Sequence, residues 1–179
     1  MQTFRHFCRT KYIASLNNNL SAEQRSVIEG TPFGWFTMLK GSLKISRKLL
    51  SSLISLWVER RGGFLISNEF VRLSLFDVCL RLCLRVHGES INLDEVDVQC
   101  ECKKLLNNKS VDVDMVYDFL VRCRDEVTLE DYCRLYILLG ISEFLCPSRM
   151  GTIFPIFFTI VDDLSSLGKY NWVDLFMNT

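Results

Sequence analysis

Eight cysteines, two histidines and a few groups of carboxylates are the side chains here that could do chemistry. A cysteine nucleophile needs an imidazole close by to take its proton. Only His6 and His87 could serve, and His87, beside Gly88, fits a turn. A structural zinc site would pair cysteines two to four residues apart and repeat the pair. Cys100-Glu101-Cys102 could be joined to Cys79, Cys83 or His87, but no second pair has ribbon spacing. Residues 100 and 102 would also point to different faces of a helix. The thiols therefore read as small apolar residues.

The carboxylates Asp94, Glu95, Asp97 and Glu101 follow the spacing of an exposed helical face. Asp162-Asp163 reads as a surface or capping pair, since a two-metal nuclease needs a third carboxylate. No lysine sits beside a Gly-rich phosphate loop, as a pyridoxal-type site would require. Lys40 and Lys103-Lys104 lie in polar or basic runs. The expectation is a chain with no catalytic residue, no cofactor and no metal.

One constellation stands out. Lys40, Lys44, Arg47 and Lys48, with Arg60 and Arg61 further on, form a basic stripe. Clustered cations on one face contact phosphates. The same pattern describes the solvated side of a helix, and no helix-turn-helix, zinc finger or stacking motif accompanies it. Both readings stay open. The wider charge distribution matches the stripe: net charge is zero, yet residues 1–61 hold ten Lys/Arg against three Asp/Glu, and residues 89–131 hold five against twelve. Such asymmetry marks a nucleic-acid face, or two surfaces that attract each other or a partner.

The elements that must carry these residues are mostly helices. Ser21 with Gln24 has capping-box spacing and predicts a helix to about Glu29, ended by Gly30 and Pro32. Leu49, Leu50, Leu53, Leu56 and Trp57 recur at helical period and predict an amphipathic helix over 43–58, apolar side inward. Phe64–Ile66 and Val71–Leu73 flank Ser67-Asn68-Glu69 and allow one hairpin within 64–73. Ser74 and Asp77 open a helix over 75–85 that turns Leu75, Val78, Cys79, Leu82 and Cys83 inward. Asn92 with Glu95 predicts another over 93–106. Val113, Val116, Tyr117, Leu120 and Cys123 make a stripe over 113–123. Thr128 and Asp131 begin the longest helix, 129–145, with Leu129, Tyr132, Cys133, Tyr136 and Ile137 inside and Pro147 as its stop. A last helix starts near Pro155. The fold class is mainly α, a multi-helix globular domain with at most that small hairpin.

Composition supports a packed globule: 49% hydrophobic residues, 13 Phe and only three Pro. The apolar runs Leu135–Cys146 and Ile153–Val161 fall short of the roughly 20 residues of a membrane helix, and Pro147 and Arg149 separate them. The first residues have no signal-peptide apolar core. The expectation is a soluble, unexported protein with reduced thiols.

The stretch Leu73-Ser74-Leu75-Phe76-Asp77-Val78, continued by Leu82–Ile91 with Gly88-Glu89, resembles the plant mobile domain, also called aminotransferase-like. A second match joins Tyr132–Phe144 to Ile160–Leu164 and Gly168-Lys169-Tyr170-Asn171-Trp172. Asp77, Val78, Gly88 and Trp172 are the motif positions. Cys83 and Val173 stand where the family prefers Gly. A sister domain in Mutator-like elements, fused to SUMO-type proteases, is also similar. The resemblance implies a non-catalytic nuclear module of transposon origin that binds a protein or nucleic acid, in a family linked to silencing and meristem upkeep. Its alternative is a remnant accessory domain of a Mutator-like transposase or SUMO-protease fusion. It places residues 1–19 as an N-terminal extension and 20–179 as a partial, C-terminally truncated domain. Truncation leads to the expectation that Phe154, Phe157 and Phe158 are partly bare and that the chain self-associates or takes an unknown protein partner; weak, nonspecific nucleic-acid contact and no membrane contact complete it.

Overall fold

A computed structural model describes residues 6–94, 100–106 and 110–178, apart from the side chains of the last three. The fold is mainly α: helices α1 (Lys11–Asn17), α2 (Ala22–Glu29), α3 (Arg47–Ser55), α4 (Leu75–Leu82), α5 (Glu101–Lys104), α6 (Val113–Arg122), α7 (Leu129–Gly140), α8 (Pro155–Val161) and α9 (Trp172–Asn178). Three antiparallel strands, β1 (Trp57–Val58), β2 (Gly63–Ile66) and β3 (Glu69–Arg72), form one small sheet in the order β1-β2-β3.

The caps explain where several helices start. Ser21 with Gln24 and Ser74 with Asp77 form complete capping boxes. Thr128 Oγ1 accepts from the amide of Asp131, 3.1 Å away. Each satisfies amides that the first helical turn leaves free. α7 is the centre of the core. From Leu135 to Ile141 every residue is buried, and α1, α2, α5, α6 and α8 pack around it. Gly140 permits the closest approach, because a β-carbon there would lie 2.3 Å from the ring of Phe36. A π-turn over Ile141–Leu145 closes the helix before Pro147, with the amide of Cys146 donating to Ile141 O at 2.8 Å.

α1 packs into the core, with Ile13 and Leu16 buried. Four expectations need correcting. The hairpin exists, but Trp57 leaves the predicted helix to add a third strand. Ser67 (φ 49°) and Asn68 (φ 67°) form its two-residue turn, the left-handed pair that matches strand twist. The predicted 93–106 helix begins only at Glu101; Asn92 Oδ1 accepts from the amide of Asp94, a local turn, and Glu95 and Asp97 lie outside the described residues. Leu75, Cys83 and Leu129 are exposed rather than inward. Phe157 and Phe158 are buried, with Phe154 half-buried against Phe157, so the expected bare patch does not form.

Candidate interaction surface

The motif residues come together in one corner. The amide of Glu89 donates to Lys169 O at 2.8 Å, and the amide of Asn171 donates to Glu89 O at 2.9 Å. This short parallel bridge needs Gly88: its φ is 143°, and a β-carbon would lie 2.2 Å from Lys169 O. Arg85 reaches Gly168 O, and Lys169 pairs with Glu89 at 3.9 Å. Trp172 is buried, donates to Leu167 O and sets its ring edge-on to Phe33 at 4.8 Å. Asp77 caps α4 and Val78 is buried beneath it. All four motif positions hold the fold together.

The other polar candidates are likewise structural. Asp162 accepts from the amides of Glu101 and Cys102, capping α5, and Asp163 caps the 3₁₀ turn Leu164–Lys169. Glu143, buried in the π-turn, caps α1 from across the chain: Oε1 accepts from Tyr12 N at 3.0 Å and Oε2 from Ile13 N at 3.2 Å. Burial pushes its carboxyl pKa up, and those amide hydrogen bonds partly offset the rise. Nothing in the sequence near residue 143 signalled that role, because its partners are some 130 positions away. All eight cysteines are free, and Cys100, Cys102, Cys133 and Cys146 are buried. Burial raises Cys133 to about 12; burial and then Glu143 raise Cys8 to about 11. Such thiols stay protonated at neutral pH. Among the described residues no group of His, Cys, Asp and Glu is disposed to hold a metal, and no helix is long and apolar enough to cross a membrane. A cavity of about 660 Å3 between Phe7, Leu43, Leu93, Phe144 and Phe154 is apolar.

Residues 38–82 differ from all of this. Twelve large apolar side chains there are exposed, among them Leu49, Trp57, Val71, Phe76 and Leu80, at 60, 38, 49, 66 and 77%. None of the α3 residues is buried, so the predicted inward face of Leu49, Leu56 and Trp57 is open. The sheet is open as well: Trp57, Phe64 and Val71 align across its strands, with Trp57 edge-on to Phe64 at 4.9 Å. The basic stripe lies in this lobe. Lys40, Lys44, Arg47, Lys48, Arg60 and Arg61 are all exposed. Among the described residues the first five make no ion pair within the chain, while Arg61 stacks on Phe70 at 3.9 Å. The stripe is not continuous. Lys40 to Lys48 precede or open α3, and Arg60-Arg61 follow it beyond β1.

α3 also reverses the usual polarity. α2, α4, α6 and α7 carry Asp or Glu in their first turns, where the helix dipole favours anions. α3 opens instead with Arg47 and Lys48 and no acid. Those cations oppose the helix dipole, as Lys11 does at the start of α1, which also has no acid in its first turn.

The chain is 24% identical over 171 residues to Protein MAINTENANCE OF MERISTEMS from Arabidopsis thaliana, a match covering 86% of this chain and 35% of that protein. The chain thus spans about a third of the length of this curated relative, and the likeness suggests the plant mobile domain family. No solved structure matches. A family model matches residues 7–179, nearly the whole chain, and by that match the chain belongs to the family described as Domain of unknown function (DUF8566).

Proposed function

We propose that this chain is a non-catalytic nuclear interaction module of transposon origin that engages its partner through the 38–82 lobe. One observation carries the reading: exposed apolar side chains and unpaired cations occur together on one lobe, beside a core that closes fully. Exposed apolar area of this kind marks interaction sites. The nuclear setting and the origin rest on the resemblance to the plant mobile domain. The likeness to the meristem protein supports a plant mobile domain-like role. The absence of chemistry rests on the use of Asp77, Glu143, Asp162 and Asp163 as caps.

The test is capture from plant nuclei by the chain and by a variant with Lys44, Arg47 and Lys48 changed to Glu. Partners retained after nuclease treatment and lost with the variant support a protein-binding lobe. Equal capture by both sinks it. A second reading, nucleic-acid contact, draws on the same cations: from Gly30 to Val58 there is no Asp or Glu at all. It predicts a weak, sequence-blind gel shift that falls steeply with salt, because released counterions drive it. A shift that the triple variant leaves unchanged removes nucleic acid.

A further inference from the structure

Helix α3 is amphipathic and basic and has no buried residue, and its details narrow the chemistry of what covers it. Leu49, Leu53 and Leu56 follow one another at i, i+4 and i+7 and form one seam. Leu49 and Leu56 are 60% and 38% exposed, and Leu53 is half-buried. The opposite side in the middle of the helix is uncharged: Ser51, Ser52 and Ser55, all exposed. Cations gather at the start of the helix, with Lys44, Arg47 and Lys48 before the seam; Arg60 and Arg61, next to exposed Glu59, follow only after β1.

We infer that α3 is the docking helix for a protein with an apolar groove and acidic rims, of the kind that EF-hand pairs open when they bind Ca²⁺. This rests on the lobe being an interaction surface, as proposed above, and names the partner's chemistry. Such grooves take an amphipathic helix by apolar anchors at i, i+4 and i+7, and they are lined by adaptable methionines. The 29-residue run from Gly30 to Val58 has four Lys/Arg and no acid, so an acidic rim meets no like charge there. A basic amphipathic helix also suits a membrane surface. Interfacial helices, however, carry their Lys/Arg along the polar face, and here that face is serine. A nucleic-acid duplex would leave the leucine seam in water. The groove alone uses both the seam and the cations that precede it.

The experiment uses the whole chain and calmodulin as the probe, with binding measured calorimetrically in Ca²⁺ and in EGTA. The expected result is a one-to-one complex of micromolar affinity that needs Ca²⁺. Leu49→Asp, at an exposed position, should weaken it at least tenfold. Arg47→Glu with Lys48→Glu should do the same and reduce the salt dependence. Both variants should retain the wild-type circular dichroism. Anionic phosphatidylserine vesicles and a duplex DNA are run in parallel. No Ca²⁺-dependent binding at 50 µM calmodulin overturns the inference, as does binding that both variants keep. Tight binding to vesicles, to DNA or to a second copy of the chain, with none to calmodulin, overturns it in favour of that occupant. If nuclear capture still depends on the lobe but not on Ca²⁺, the interaction module stands and only this partner class falls.

Discussion

The two amphipathic helices α3 and α6 look alike as sequences and end up in opposite circumstances. α6 turns Val113, Val116 and Leu120 into the core, each at 2% exposure or less. α3 leaves Leu49 exposed and Leu50 and Leu53 only half-buried, and none of its residues is buried. Periodicity says that a helix has an apolar face; it does not say which molecule covers that face. The contrast extends to the whole lobe. The core closes around α7 and takes from residues 38–82 only Val78 of α4, with Cys79 and Leu82 packed against it, whereas among the described residues 38–82 hold most of the exposed large apolar side chains.

The strongest way to break this contrast is to cut one large side chain in each region and compare. Trp172 fills the core, touches Phe33 and Tyr170 and donates to Leu167 O. Trp172→Ala should cost about 3–5 kcal/mol, the range for emptying an aromatic site. Leu49→Ala should cost under about 0.5 kcal/mol, as for surface changes. Urea unfolding of both would show it. Similar costs would mean that α3 belongs to the core after all.

Gly88 tests the corner that joins the two motif stretches. Alanine there would place its β-carbon 2.2 Å from Lys169 O at a φ of 143°. Either the bridge opens or the backbone shifts, and both hydrogen bonds of Glu89 to 169–171 weaken. We expect a loss of about 2 kcal/mol or more, in the class of glycines replaced where the conformation forbids it. Amide exchange at Glu89 and Asn171 should rise with it. Unaltered protection would remove the geometric role given to Gly88.

What could be read in the sequence was local. Ser21-Gln24, Ser74-Asp77 and Thr128-Asp131 announce helix starts because cap and partner lie three residues apart. The stripe of α6 and the inner face of α7 follow from period alone. Glu143 and Asp162 were opaque as caps because each serves a helix remote in the chain. Trp57 was read as helical because its spacing fits; pairing with Phe64 draws it into a strand. For the candidate surface, the cations were legible as charge. Their exposure beside open leucines was not, nor was the loss of Arg61 to the ring of Phe70.

Glu143 supplies a smaller effect with a definite sign. Its folded-state pKa is raised, chiefly by burial. The folded protein therefore binds the proton more tightly than the unfolded chain. The resulting stability is fully present below the ordinary carboxyl pKa and is lost as pH rises through the raised value. Glu143→Gln should flatten that part of the stability curve while costing one amide acceptor at the start of α1. Parallel pH slopes for both proteins would refute the assignment. In the exposed lobe the sign is opposite at Asp77, where hydrogen bonds from Ser74 hold the carboxyl below its ordinary value.

The smallest expected effect is a gain, and it lies at the border of the two regions. Cys83 ends α4 with φ 53° and ψ 32°, in the left-handed region, and its thiol is exposed and free. That conformation ends helices without strain when the residue is glycine, which has no β-carbon to crowd the following carbonyl. The plant mobile domain, which this stretch resembles, prefers glycine at this place, and the left-handed geometry supplies a reason. Cys83→Gly should therefore raise stability by about 0.5–1 kcal/mol, the left-handed strain relieved less the extra freedom glycine gives the unfolded chain. Cys83→Ala keeps the β-carbon and should change little, which separates backbone strain from any role of the thiol. Because α4 packs on α9 through its inner side, the gain should appear in global unfolding rather than only in local fraying. If both variants gained equally, the exposed thiol would be the liability and the strain argument would fail. If neither gained, the lobe would open without disturbing the core, and the line between the two regions would lie after Cys83 rather than before it.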